Sequence, residues 1–291
     1  MIHKLIVYIK AARFGESALM LGFPLIGFFF AVEPKHIGLI WKVPAFLVIT
    51  YGLVIYVYLL NSWGGVKEDI INRRLMGHPV LTGEMKSQEL LWGAIGGLIV
   101  AILGYSLLFR GCLWICLAIA GVWTLYSHPK VMLKAKPVTG SFCHFFGGIL
   151  QFLLGWAAMA PAHSGAWLIS FYFSAIFTAG HLNHEVKDYE DDKVAGLRTN
   201  AVEFGPARVL AFSFWMFAAA FVYLIVLAIG KVAAWIDVLP FLLAFPIHYL
   251  WHLAKGKPTK VIYDVAYQQG YRALFFAAGS VLVLIRLIQR M

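Results

Sequence analysis

Nine stretches of about 20 mostly apolar residues follow one another along the chain, and they limit its fold more than any other feature. A stretch of this length can cross the hydrocarbon core of a bilayer as an α-helix. The stretches do not alternate polar and apolar residues, as the strands of a membrane β-barrel would. With 61% hydrophobic residues, the chain has too little polar surface to enclose them in a soluble domain. We predict an all-α integral membrane protein, a nine-transmembrane-helix bundle that forms one domain over residues 1–291. The predicted spans are approximately 14–33, 40–60, 89–109, 111–126, 140–160, 166–184, 207–229, 233–254 and 270–288.

Lysine and arginine are concentrated in alternate loops, which all fall on one face of the membrane if there are nine spans. Because short loops rich in these residues stay in the cytoplasm, we expect the N-terminus and the polar cap loops there and the C-terminus outside. The inner membrane of a prokaryote is the expected location. The formal net charge of +10 then indicates contact with anionic membrane lipids rather than with nucleic acid. Glycine-rich stretches can pack helices within the bundle or between copies of the chain, so a homo-oligomer stays open.

An acidic segment, LNHEVKDYEDDKVAGLRT, follows the sixth predicted span on the cytoplasmic face. If the helix continues through it, Glu185, Asp188 and Asp192 share one face, because they are spaced at i, i+3 and i+7. Three neighbouring carboxylates repel one another unless a cation lies between them. Oxygen ligands favour a hard ion, so the segment predicts a Mg²⁺ site.

A second polar segment, NSWGGVKED, follows the second predicted span on the same face. In a continuous helix Asn61, Gly65 and Asp69 are spaced at i, i+4 and i+8 and would share one face. An amide oxygen and a carboxylate two turns apart can hold one hard cation, and the glycine between them leaves room for a phosphate oxygen. We therefore predict Asn61 and Asp69 as further metal ligands.

Basic residues in the cytoplasmic loops predict an anionic substrate group next to the metal. Arg73, Lys130, Lys134 and Arg198 lie in loops on this face, and with Mg²⁺ they would neutralise a bound diphosphate. A ligand with a diphosphate head and an apolar tail that fits between helices is an isoprenyl diphosphate, here of the farnesyl or geranylgeranyl class. Aromatic rings near the polar ends, Tyr126 among them, could stabilise an allylic carbocation.

These motifs resemble those of the UbiA superfamily of intramembrane prenyltransferases, over about residues 14–288. The most specific piece is DYEDDKVAGLRT, and YSHPKVMLKAKP after the fourth span is also similar. The resemblance implies Mg²⁺-dependent binding of an isoprenyl diphosphate. It makes Asp188 and Asp192 ligands of the second motif, and Tyr126 and Lys134 part of the loop that reaches the diphosphate.

The first motif departs from the transferase pattern NDxxDxxxD, because Ser62 and Gly65 replace two carboxylates. The remaining NxxxGxxxD resembles the variant found in UbiA-type terpene cyclases, so the first hypothesis is a terpene cyclase, a terpene synthase of lipid metabolism. The alternative is a prenyltransferase that moves the prenyl group to an aromatic or lipid acceptor. A non-catalytic lipid-binding protein is a third hypothesis. Transfer would use a general base, for which the candidates are His128, His144, His181 and His184.

Overall fold

The structure, a computed structural model, describes residues 2–33, 41–66, 77–255 and 265–290. These residues form helices joined by short loops and contain no strand, which confirms the predicted all-α class. The twelve described α-helices run in chain order, and two short 3₁₀ turns, Arg110–Cys112 and Leu133–Ala135, flank the sixth of them. The helices are α1 (Ile2–Ala11), α2 (Phe14–Leu19), α3 (Gly22–Ala31), α4 (Val43–Gly64), α5 (Ser87–Leu108), α6 (Leu113–Ser127), α7 (Thr139–Ala157), α8 (Ser164–Val194), α9 (Asn200–Phe204), α10 (Pro206–Ile229), α11 (Trp235–Lys255) and α12 (Val265–Arg290).

Eight segments of the described chain are long and apolar enough to cross a membrane, so the protein is an integral membrane protein. The first of them, Phe14–Ala31, is divided between α2 and α3 by a turn at Met20 and Leu21. The fifth predicted span, 140–160, forms α7 but is not among the eight. Its four glycines and the buried His144 and Gln151 reduce its hydropathy, so the count of nine spans stays a prediction.

The helices pack as a ring of neighbours around a common interior. Helix α7 contacts α3 on one side and α8 on the other, and α8 continues the series to α10. Helices α11 and α12 pack against each other, and α12 returns to α3. The pair α4 and α5 packs alongside with α6. Residues from α2, α3, α4, α6, α7, α8, α11 and α12 therefore face one interior space.

Close approach of two helix backbones fixes the α3–α7 crossing. A Cβ atom added to Gly27 would overlap the carbonyl oxygen of Phe152, and one added to Gly155 would overlap that of Pro24. Each glycine thus admits the other helix's backbone, as small residues do in many membrane bundles. The crossing positions α7, which carries part of the interior wall, against the broken first span.

A charged pair inside the bundle joins the last two helices. Arg286 donates a hydrogen bond of 2.5 Å to the buried carboxylate of Asp237, and its guanidinium lies 5.4 Å from the ring centroid of Phe30. Ionisable residues within spans are costly unless paired, and these two residues pair with each other. The pair is therefore a structural contact that joins α11 to α12, and Arg286 also contacts α3 through Phe30.

We predict that Gly155→Ala separates α3 from α7 and lowers stability by about 1–3 kcal/mol, because the added methyl group cannot fit against the Pro24 carbonyl. The melting temperature of the purified protein in detergent measures this effect. Gly96→Ala and Gly121→Ala are matched controls, since an added Cβ at either helical position meets no atom within 4 Å. An unchanged melting temperature for Gly155→Ala would contradict the described crossing.

Candidate functional site

A cavity of about 1060 Å³ occupies the interior of the bundle. One end is lined by polar and charged side chains and the rest by apolar and aromatic ones. The polar end contains side chains from the ends of α4 and α8, from the turn Leu133–Ala135 and from α2 and α12. The predicted convergence of the two polar segments is therefore seen for the part of each segment that the structure describes. The polar residues that line this end are Arg13, Glu16, Asn61, Lys134, His181, His184, Glu185, Lys187, Asp188, Asp192, Thr199 and Arg272, and His144 and Ser280 also line the cavity.

Helix α8 carries the acidic face into the cavity. It continues to Val194 without interruption, as the spacing of the acidic residues requires. The chain leaves the helix through Gly196, whose positive φ of 72° is easily adopted by glycine, and the amide of Leu197 donates to the carbonyl of Asp192. Asp188 and Asp192 line the cavity, whereas Glu190 on the opposite side is exposed. The two aspartates are thus one helical turn apart on the cavity wall.

Lys134 and Asn61 connect the loop after α6 to the end of α4. The Lys134 ammonium group donates a 3.1 Å hydrogen bond to the side-chain oxygen of Asn61. Both residues line the cavity that also contains Asp188 and Asp192. A predicted diphosphate ligand and a predicted metal ligand therefore lie side by side.

The first polar segment does not continue as one helix. Helix α4 ends at Gly64, and Gly65 caps it with its amide donating to the Asn61 carbonyl. The helix end lies so close to α6 that a Cβ at Gly64 would overlap the carbonyl oxygen of Ser127. The expectation of a single helical face through Asn61, Gly65 and Asp69 is therefore wrong at Gly65. Asp69 and Arg73 lie outside the described residues.

Glu185 has protein partners of its own. One carboxylate oxygen accepts hydrogen bonds from the backbone amide of Asn200, at 3.1 Å, and from its side chain, at 2.8 Å. The other oxygen lies 3.1 Å from His181 Nε2, although the two are not aligned for a hydrogen bond. Glu185 thus fastens α9 to α8. Its role as a metal ligand stays a prediction.

Asn200 extends this network to the start of α7, and sequence reasoning missed it. Its side-chain oxygen accepts a 2.7 Å hydrogen bond from the amide of Val138, and its side-chain nitrogen donates to Ser141. Val138 has a positive φ of 67°, a strained conformation for a β-branched residue. The network therefore holds the chain between Lys134 and α7 in place. The sequence offers one indication of this role, because Asn200 follows Arg198, a predicted diphosphate ligand, by two residues.

Two predicted diphosphate ligands lie away from the cavity. Arg198 is 68% exposed and pairs with Glu203 at 3.0 Å. Its neighbours Leu197 and Thr199 line the cavity, so in this extended stretch the residue between them faces outward. Lys130 is exposed and is not among the lining residues.

Two arginines that were not predicted as ligands do line the cavity. Arg13 precedes α2 in the left-handed conformation, with φ of 47°, and Arg272 lies in the second turn of α12. The signal for Arg272 was available, because an ionisable residue within a predicted span indicates a functional site. Arg13 was counted only as a positive charge of the cytoplasmic face.

Aromatic rings form the wall beyond the polar end. Tyr126, predicted from the fourth span, lines the cavity and makes edge contacts with Trp123 and with the ring of His144, both at 5.1 Å. The His144 ring stacks on His181 at 3.5 Å and also contacts Phe177. These rings lie between the charged end and the apolar depth of the cavity.

The donors at the polar end fit a hard divalent cation. Asp188, Asp192 and Asn61 offer only oxygen atoms, which are the ligands that Mg²⁺ prefers, and Mg²⁺ keeps several waters beside a few protein ligands. Within the described ranges, no three His, Cys, Asp or Glu side chains form a closed metal site. Three oxygen ligands leave other positions of an octahedral Mg²⁺ ion for water and for substrate oxygens.

The fold and the cavity together define a class of protein. It is a helical membrane protein whose interior cavity is charged at one end and otherwise apolar. A sequence profile of the UbiA prenyltransferase family matches residues 20–279, and the chain belongs to this family. Among curated proteins no sequence matches significantly.

Solved structures share the fold. A UbiA homolog from Archaeoglobus fulgidus bound to GPP and Mg²⁺ superposes with a TM-score of 0.78 at 20% identity, over 95% of this chain and 99% of that chain. The apo structure of a UbiA homolog from Aeropyrum pernix K1 gives 0.73 at 16% identity, over 95% and 98%. A structure described for digeranylgeranylglyceryl phosphate synthase in membranes gives 0.69 at 16% identity, over 97% and 98%.

We predict that Asn200→Ala destabilises the protein by about 1–3 kcal/mol, because it removes the side-chain hydrogen bond to the buried Glu185 carboxylate and leaves the Val138 amide without this acceptor. Thermal unfolding in detergent measures the loss. Arg198→Ala is the matched control, and removing its exposed ion pair should cost under about 1 kcal/mol. Equal losses in the two variants would show that the Glu185–Asn200 network does not hold α9.

Proposed function

We propose that the protein is a Mg²⁺-dependent intramembrane enzyme that ionises an isoprenyl diphosphate and transfers the prenyl group to a second, membrane-borne molecule. The observation that carries this proposal is the single cavity that joins carboxylates, an amide and cations at one end to an apolar interior. Such a cavity matches a ligand with a diphosphate head and a hydrocarbon tail. Binding of GPP and Mg²⁺ by a structural relative supports the same substrate class for this chain.

The charged end supplies what departure of diphosphate requires. Asp188, Asp192 and Asn61 would hold Mg²⁺, which when bound neutralises the oxygens of the leaving group. Lys134 already donates to the Asn61 side chain and can donate to a phosphate oxygen in the same place. Arg13 and Arg272 add two positive charges to the cavity lining. Fixed charges of this kind stabilise the negative charge that develops as the carbon–oxygen bond breaks.

The aromatic wall protects and stabilises the allylic cation. Trp123, Tyr126 and Phe177 line the cavity beside the polar end. The faces of aromatic rings attract a cation, and this attraction grows where water is excluded. The surrounding apolar residues keep water from capturing the cation before it reacts.

The way the cavity meets the protein surface favours transfer over cyclisation. Phe276 and Leu284 on α12 line the cavity and are each 57% exposed, and Leu19 on α2 is 49% exposed. The cavity therefore reaches the lipid-facing surface between the first and last spans, where a second lipid-like molecule can approach from the bilayer. A volume of about 1060 Å³ lies at the upper end of the range for small-molecule sites, which also suits two ligands.

Cyclisation is the second candidate, and one feature favours it. Ser62 and Gly65 stand where two carboxylates of a transferase motif would lie, so the first segment offers fewer metal ligands. A cyclase needs one substrate only and ends its reaction by losing a proton or capturing water. We propose a prenyl chain of the farnesyl or geranylgeranyl class for either reaction. By the distribution of Lys and Arg, the charged end would face the cytoplasm of a prokaryotic cell.

We predict that Asp188→Asn and Asp192→Asn each reduce Mg²⁺-dependent diphosphate release by at least about 100-fold, because each removes a charge from the proposed cation site. Release is measured with purified protein in nanodiscs, Mg²⁺ and geranylgeranyl diphosphate. Glu190→Gln is the matched control, since this exposed carboxylate lies on the opposite side of α8. Normal release by both aspartate variants would refute the proposed cation site.

A product analysis separates transfer from cyclisation. The same nanodiscs are incubated with geranylgeranyl diphosphate alone, or with either 4-hydroxybenzoate or geranylgeranylglyceryl phosphate. We expect prenylated product only when an acceptor is present. Cyclic hydrocarbon or cyclic alcohol formed without an acceptor would establish the cyclase instead. Binding of the diphosphate without turnover under any condition would indicate a non-catalytic lipid-binding protein.

A further inference from the structure

The structure separates four histidines that the sequence could not distinguish. His128 lies at the end of α6, outside the cavity lining. His184 Nε2 lies 3.5 Å from Asp188, and His181 Nε2 lies 3.1 Å from Glu185, so both belong to the acidic end. His144, on α7, lines the cavity without a carboxylate beside it.

Hydrogen bonding fixes the protonation of the His144 ring. Its Nδ1 lies 2.9 Å from the carbonyl oxygen of Gly140, so Nδ1 carries the proton and donates it. Nε2 is then the nitrogen with the lone pair. Within the described part of the chain Nε2 has no hydrogen-bond partner, and it is not among the polar atoms sealed from solvent. Because the side chain is buried and lines the cavity, that lone pair is directed into the cavity.

Packing holds the ring at a fixed depth. His144 stacks on His181 at 3.5 Å with an angle of 7° between the rings, and Trp123 meets it edge-on at 5.0 Å. His181 precedes Asp188 by seven residues on α8, which is about 10 Å along a helix axis. The stacked pair therefore lies about two helical turns from Asp188, at the inner margin of the charged end, where the first carbons of a prenyl chain would follow a diphosphate bound at Asp188 and Asp192.

We propose that His144 Nε2 is the base that receives the proton lost when the prenyl cation is captured. This inference rests on the proposed function. In transfer, the electron pair of an acceptor X–H forms the new bond to the prenyl C1. The C1–O bond breaks, its electron pair leaves with diphosphate, and the proton of X–H passes to Nε2. In cyclisation, the electrons of a C–H bond beside the cation form a double bond, and its proton passes to Nε2.

The test measures two kinds of product. Prenylated acceptor and hydrocarbon form when a proton passes to the protein, whereas geranylgeraniol forms when water captures the prenyl cation. Purified protein in nanodiscs receives Mg²⁺ and radiolabelled geranylgeranyl diphosphate, with 4-hydroxybenzoate or geranylgeranylglyceryl phosphate. Diphosphate release, prenylated acceptor, hydrocarbon and geranylgeraniol are measured together. The variant is His144→Phe, which keeps an aromatic ring on His181 but removes the lone pair. His163→Asn is the matched control, because this exposed histidine caps the distant start of α8 and asparagine is a good cap.

We expect His144→Phe to lower the ratio of prenylated acceptor and hydrocarbon to geranylgeraniol by about 100-fold, the scale of general-base catalysis. Binding of the labelled diphosphate should stay at the wild-type level, and His163→Asn should match the wild type. In His144→Ala, added imidazole should restore the proton-losing products.

Four results would overturn the inference. They are an unchanged ratio in His144→Phe, loss of diphosphate binding in that variant, absence of imidazole rescue in His144→Ala, and a wild type that forms only geranylgeraniol. The first three leave the proposed function intact. A wild type that releases no diphosphate would instead refute the proposed function, and this inference with it.

Discussion

Carboxylates within an apolar bundle need cations or hydrogen-bond donors, and this requirement organises the protein. Asp237 accepts a hydrogen bond from Arg286, and Glu185 accepts two from Asn200, so both serve the structure. Asp188 and Asp192 instead line a cavity whose other charged groups are mostly cations. The difference between these two groups separates the carboxylates whose partners join helices from those that line the cavity beside His184 and Thr199. The function that we propose depends on that separation.

Much of the architecture could be predicted from the sequence because it follows from local pattern. Apolar length predicted the membrane helices, and spacing predicted the continuous acidic face of α8. The meeting of Lys134 with Asn61 also follows, since loops on one membrane face crowd together. These features need only the periodicity of a helix and the alternation of loops across a bilayer.

The remaining features depend on tertiary packing, which the pattern does not contain. Arg198 and Thr199 are adjacent in a loop, yet one pairs with a surface glutamate and the other lines the cavity. Their directions are set by how α9 docks on α8. Helix α4 ends at Gly64 and is capped by Gly65, and its close contact with α6 at Ser127 comes from tertiary packing. The roles of the four histidines are separated by their partners in space: His181 and His184 lie beside carboxylates, and His144 donates to a backbone carbonyl.

The most direct test of the account locates the ion itself. A structure of the protein with Mn²⁺ and a geranylgeranyl thiolodiphosphate, which is slow to ionise, would show the metal by anomalous scattering. The account predicts a peak between the side chains of Asp188, Asp192 and Asn61, with the prenyl chain extending past His144. A bound analogue with the metal elsewhere, or with no metal against these side chains, would contradict it.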